Sequence, residues 1–213
     1  MSDATRPARP PRTFTDVVNK GLRRIPPWTL YILGAAYAVW LFYLAIMGYL
    51  GVEPIKELEH RYGEIALQLL IAGLTVTPLR QWVGINLMCF RRAIGVVTFF
   101  FVIAHLLVWA ILDVQTVSAV WADIVERPYI TIGMAAFVLM LPLGLTSNNY
   151  AVKRLGAAAW RKLHKLVYPC AILGGLHFVW LAKGFQFEPW IYMLIIVGLV
   201  ALRFTPTRSR VAR

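Results

Sequence analysis

Residues 91–113 read RRAIGVVTFFFVIAHLLVWAILD: two arginines, then an uncharged run from Ala93 to Leu112, then an aspartate. At about 1.5 Å of rise per residue, a run of about 20 residues crosses a hydrocarbon core about 30 Å thick as a helix. The stretch therefore reads as a membrane span carrying one histidine, His105, inside it. Working outward, five more apolar stretches of comparable length stand out: Thr29–Leu50, Ile65–Leu79, Ile130–Thr146, Leu166–Leu181 and Trp190–Phe204. The second and fifth of the six are short, so either the bilayer thins there or flanking turns lengthen the helices.

Composition agrees. The 213 residues are 59% hydrophobic and 15% charged, with a mean hydropathy of +0.64. A soluble domain of this length has no interior large enough for so much apolar surface. The loops are too short for a separate soluble domain. The expected fold is all-α: a six-helix transmembrane bundle over residues 29–204, with a basic, proline-rich tail before it (residues 1–28) and a basic tail after it (205–213).

The net charge of +12 invites a nucleic-acid reading, but its distribution points elsewhere. Alternating sides from the N-terminus, one side collects 18 of the 22 Lys and Arg residues and the other only Lys56, Arg61, Arg127 and Lys183. The poor side holds eight of the ten acids, from Glu53 to Glu188. That is the positive-inside pattern, with both termini cytoplasmic. Trp28, Trp82 and Trp160 fall at the inner boundaries and Trp180 and Trp190 at the outer ones, as an aromatic belt requires. The first span reads as a retained anchor rather than a cleaved leader. Cys89 and Cys170 both map to the cytoplasmic half, where a structural disulfide is not expected, and no Cys-x-x-Cys-His offers covalent haem attachment. Pro142 and Pro169 are expected to kink their helices or free carbonyls. Span glycines read mainly as packing positions, with Gly95 and Gly174–Gly175, which precede histidines, also able to leave room for a flat porphyrin.

The chemistry lies in the histidines. His105 is twelve residues inside the third span and His177 eleven inside the fifth; both spans enter from the cytoplasm. Each ring thus lies roughly 18 Å in, past the midplane. A lone intramembrane imidazole can be a core residue bonded to a carbonyl, but two at one depth point to a shared metal. Haem iron, ligated from both faces, fits this pair; zinc would want further ligands at that depth. His164, thirteen residues before His177 at the inner boundary, is rotated by about 220° from it on an ideal helix. It reads as a ligand for a second haem, as a partner with Arg91 and Arg92 for an anionic group such as a flavin phosphate, or as an interfacial histidine. His60, among Glu57, Glu59 and Glu64, reads as a solvated loop residue. Met134 and Met140 read as packing. No Walker loop, Gly-x-Gly-x-x-Gly, serine elbow or zinc-protease motif is present, so no catalytic residue is assigned.

Several strings, in order across about 150 residues, resemble one family: Thr77-Pro78-Leu79-Arg80, Arg91-Arg92-Ala93-Ile94-Gly95 with His105, Arg127-Pro128-Tyr129-Ile130-Thr131, Thr146-Ser147, Arg154-Leu155-Gly156, Trp160 with Leu163-His164, Tyr168 and His177. The chain is similar to the MsrQ family, the haem-binding membrane subunits of bacterial protein-methionine-sulfoxide reductase systems, within the ferric-reductase-like transmembrane group. The resemblance implies that His105, His164 and His177 are haem-associated. It also implies b-type haem, FMN, and residence in the bacterial inner membrane. The implied role is electron transfer from quinol or a flavin reductase to a periplasmic molybdopterin enzyme that reduces methionine sulfoxide in oxidised proteins. Unlike the wider group, which carries two histidines on each of two helices, this chain lacks the inner histidine of the third span, so the haem count stays open. Alternatives are a b-type ferric-reductase-like cytochrome with another extracytoplasmic acceptor, and a haem-free scaffold or transporter.

Overall fold

The structure, a computed structural model, describes residues 13–182 and 186–203. Most of the N-terminal arginine-proline tail, Lys183, the end of the sixth expected span at Phe204 and the 205–213 tail lie outside the described residues. Among the described residues every regular element is helical.

The tail nearest the bundle is ordered, contrary to its proline-rich appearance. Thr13 and Asp16 form a reciprocal capping box that starts α1 (Phe14–Leu22). The Asn19 side chain then donates to the Gly84 carbonyl at 2.9 Å and accepts from the Asn86 N–H at 2.8 Å, tying α1 to the loop beyond the second span. α2 (Thr29–Ile46) follows. α3 runs from Pro54 to Pro78 and continues as a π-turn to Val83. Gly84 stops it with φ +84°, a left-handed conformation that suits glycine. α4 (Arg91–Leu107) likewise widens into a π-turn over Val108–Asp113. α5 (Val117–Glu126) is a short helix between spans, and α6 is Pro128–Leu145. α7 (Asn149–Leu155), α8 (Ala157–Leu163) and a 3-10 turn at His164–Leu166 lead into α9 (Val167–Leu181). α10 (Phe187–Ala201) closes the bundle.

Four of these helical segments are long and apolar enough to cross a membrane: Thr29–Ile46, Pro54–Val83, Arg91–Asp113 and Pro128–Leu145. α9 and α10, at the fifth and sixth expected spans, have 15 residues each. Packing is organised around α3. Its first half joins α2 and α4 through Leu58, Tyr62 and Ala66 against Ala38, Leu41, Val97 and Phe101. Its second half joins α6, α9 and α10 through Leu67, Leu70 and Leu74 against Met140, Ala171, Ile196 and Val200. The outward faces carry Ile32, Leu33, Trp40, Leu194 and Val197, an apolar exterior suited to lipid rather than water. Two polar contacts join helices: Tyr62 donates to the Ala38 carbonyl at 2.7 Å, and Gln68 donates to the Tyr192 hydroxyl at 2.8 Å.

For the short second span the flanking turns do lengthen the helix: it begins at Pro54, eleven residues before Ile65, with Lys56–Glu53 and Arg61–Glu57 pairs, each 2.7 Å, and Pro54 in its first turn. Two expectations change. His60 consequently lies exposed on that helix rather than in a loop. Pro169 falls in the first turn of α9, where a missing N–H costs no hydrogen bond, and the break between His164 and His177 is the 3-10 turn at His164 itself.

Candidate functional site: a pair of imidazoles at one end of the bundle

α4 and α9 bring their C-terminal turns to the same end of the bundle, beside the first turns of α3 and α6. There the rings of His105 and His177 stand 6.4 Å apart between centroids, edge to face at 74°. His105 Nδ1 lies 2.9 Å from the carbonyl of Glu59 on α3. His177 Nδ1 lies 2.6 Å from the carbonyl of Tyr129 on α6, whose own ring stands 6.2 Å from the imidazole.

A carbonyl has no hydrogen to give, so in both bonds Nδ1 must be the donor. Both rings are thereby fixed as Nδ1–H tautomers, each with the lone pair on Nε2. No hydrogen bond to either Nε2 occurs among the described residues. Two nitrogen–metal bonds of about 2 Å each, with the ring radius added at both ends, give a centroid spacing of about 6 Å. The observed spacing of 6.4 Å is close to that value, so the two neutral imidazoles have the separation that two ligands of one metal require. An imidazole whose other nitrogen donates to a backbone carbonyl is also the usual form of a metal-ligating histidine. No group of three or more His, Cys, Asp or Glu side chains suited to a metal ion occurs among the described residues, so the donor set here is the pair alone.

His164 is elsewhere and differently bonded. Its Nε2 lies 3.1 Å from Thr146 Oγ1 at the end of α6, and Trp160 stacks on it at 3.8 Å while donating to the Thr146 carbonyl at 2.9 Å. Burial first, and the Arg91 guanidinium second, hold its pKa below the ordinary 6.5. Arg92 donates to Asn149 at 2.6 Å. Cys170 is buried, with its thiol on the Ala136 carbonyl at 3.4 Å.

The residues that sequence reading passed over are on the facing helices: the carbonyls of Glu59 and Tyr129, and Gly63 and Gly133 one turn further along. Carbonyls carry no side-chain signal. Glycines do carry one, but the span pattern reads Gly133 as a packing position, leaves Gly63 unmarked, and assigns room for a porphyrin to Gly95 and Gly174–Gly175. A Cβ on Gly95 would meet nothing within 4 Å, and one on Gly175 would meet Met193 and Ile196.

Residues 60–175 match the family described as ferric reductase like transmembrane component. Proteins named protein-methionine-sulfoxide reductase heme-binding subunit MsrQ are similar over most of their length. That of Agrobacterium fabrum is 44% identical over 83% of this chain and 82% of its own. That of Rhizobium meliloti is 47% identical over 83% and 82%, and that of Brucella anthropi 42% over 86% and 83%. No solved structure matches.

Proposed function

The chain is an integral membrane protein that belongs to the ferric-reductase-like transmembrane family and to its MsrQ group, and from that premise we propose that it is the b-type haem electron-transfer subunit of a protein-methionine-sulfoxide reductase system. The observation that carries this reading is the pair of Nδ1–H imidazoles 6.4 Å apart. His105 and His177 would hold the haem iron through their Nε2 atoms. Bound there, haem supplies reversible one-electron transfer at a potential set by its ligands and by the polarity around it.

The chain's own groups do the remaining work. The Glu59 and Tyr129 carbonyls orient the rings, fix the tautomer and make Nε2 a better donor. The apolar helices around them keep the dielectric low. Six spans with both termini cytoplasmic, supported by the 18-to-4 split of basic residues, put the pair in the periplasmic half of a bacterial inner membrane. The acceptor is then a periplasmic molybdopterin enzyme that reduces methionine sulfoxide. The outer segments, with 4 basic and 8 acidic residues for a net 4 − 8 = −4, suit a partner of complementary charge. Quinol or a flavin reductase supplies electrons from the basic side. Arg91 and Arg92 would supply the cations for the phosphate of an FMN.

The test is a reduced-minus-oxidised spectrum with pyridine haemochrome quantitation on the purified protein. A low-spin b-type signal is expected. Its absence after expression with ample haem refutes the proposal.

A further inference from the structure

The two imidazoles sit on different helices with unrelated neighbours, yet one device seats both. On α3, the Glu59 carbonyl takes His105 Nδ1, and Gly63 lies four residues later. A Cβ placed on Gly63 would stand 3.2 Å from His105 Nδ1 and 3.3 Å from its Cε1. On α6, the Tyr129 carbonyl takes His177 Nδ1, and Gly133 again lies four residues later. A Cβ there would stand 2.8 Å from His177 Nδ1 and 3.0 Å from its Cε1.

The spacing has a physical reason. Residues i and i+4 share one face of a helix, so a ring that reaches the carbonyl at i must lie over position i+4. Neither glycine has positive φ, so the backbone itself would accept alanine, the better helix former. What excludes a side chain is the imidazole. At Gly133 the separation is shorter than real Cβ contacts allow, and the atoms it meets belong to a ring already held by its hydrogen bond.

We propose that Gly63 and Gly133 are positioning residues, paired seats that hold the His105 and His177 rings on the Glu59 and Tyr129 carbonyls with both Nε2 atoms left for one shared metal. The inference rests on the haem reading above and adds to it. Its consequence is local: a methyl on either glycine displaces one imidazole, weakens its carbonyl bond and so changes the ligand field and potential of the bound iron, not merely the packing.

The full-length, haem-loaded protein in detergent tests this. Haem per protein, the low-spin fraction and the midpoint potential are measured for wild type, Gly133→Ala, Gly63→Ala and Gly34→Ala. Gly34 is the control, because a Cβ there would meet Val97 Cγ1 at 2.6 Å, a tighter clash than either seat but one that touches no histidine. Gly133→Ala is expected to lose on the order of tenfold in haem retention or to turn high-spin, as outer-shell partners of metal-bound histidines do when removed. Gly63→Ala, where a few tenths of an ångström suffice, is expected to keep its haem with a shifted potential. Gly34→Ala is expected to keep the wild-type spectrum and potential even if it melts earlier. Should Gly133→Ala fail to fold, Gly63→Ala decides. Wild-type spectra and potentials in the folded seat variants overturn the inference, as does a Gly34→Ala loss equal to that of Gly133→Ala. A wild-type protein without a Soret band removes the haem reading and the seats with it, whereas normal haem in the wild type and unchanged variants removes only the seats.

Discussion

At one end of the bundle two histidines keep Nε2 free; at the other a third histidine gives Nε2 away. The difference lies in the partner, not in the residue. His105 and His177 face carbonyls, which only accept, so their protons sit on Nδ1. His164 faces the Thr146 hydroxyl, whose own hydrogen goes to the Pro142 carbonyl at 2.5 Å, so His164 Nε2 must be the donor and its lone pair lies on Nδ1. One end holds two imidazoles 6.4 Å apart whose Nε2 atoms carry no hydrogen bond among the described residues. The other ties the end of α6 to the turn before α9, with Trp160 covering the ring. A histidine's capacity to ligate is set by what its other nitrogen meets.

The largest expected effect that tests this contrast is on the haem spectrum. His105→Ala and His177→Ala should each remove most of the low-spin signal, because either loss leaves the iron open on one face. His164→Ala should leave most of it. Equal losses in all three would erase the distinction between the two ends.

A smaller effect belongs to the inner knot. Thr146→Val leaves the His164 N–H and the Pro142 carbonyl without the hydroxyl, and should cost about 1–3 kcal/mol in unfolding free energy with the haem spectrum unchanged. A spectral change as large as that of His177→Ala would show that the two ends are coupled.

The pH dependence is smaller again. The pKa of His164 is depressed in the folded protein by burial and by Arg91, so below about 6.5 the unfolded chain takes up a proton that the folded chain resists. The stability contributed by neutral His164 is therefore present above that pH and declines as pH falls below it. His164→Gln, which keeps an N–H for Thr146, should flatten the slope of melting temperature against pH; an unchanged slope would mean that His164 is freely protonated in the folded state. The subtlest check is nitrogen-15 histidine spectroscopy on haem-free protein. Nδ1–H forms are expected for His105 and His177, and the Nε2–H form for His164. The same tautomer at all three would break the comparison at its root.

Much of the architecture was legible because lipid imposes a simple rule: a span must be apolar over its length. That rule located α2, α4 and α6 closely and marked His105 and His177 by depth. It marked only the apolar part of α3, whose lengthening by flanking turns was one of two open readings, because hydropathy reports contact with lipid, not helix length; the eleven residues from Pro54 to Glu64 form its polar start, with local ion pairs and a proline in the first turn. That start matters, since those turns supply Glu59 and Gly63. Pro169 misled for a related reason: its effect depends on position within a helix, and α9 begins only two residues earlier.

The sequence by itself determined the apolar helices, the asymmetry of their basic ends and the three histidines that merit attention, because each follows from local composition and from rise per residue. Only the tertiary structure decided which nitrogen of each ring is free, which carbonyls hold the rings and which glycines lie beneath them. Those are properties of contacts between residues 42 to 48 positions apart in the chain, and periodicity within one helix says nothing about the atoms a neighbouring helix presents to it.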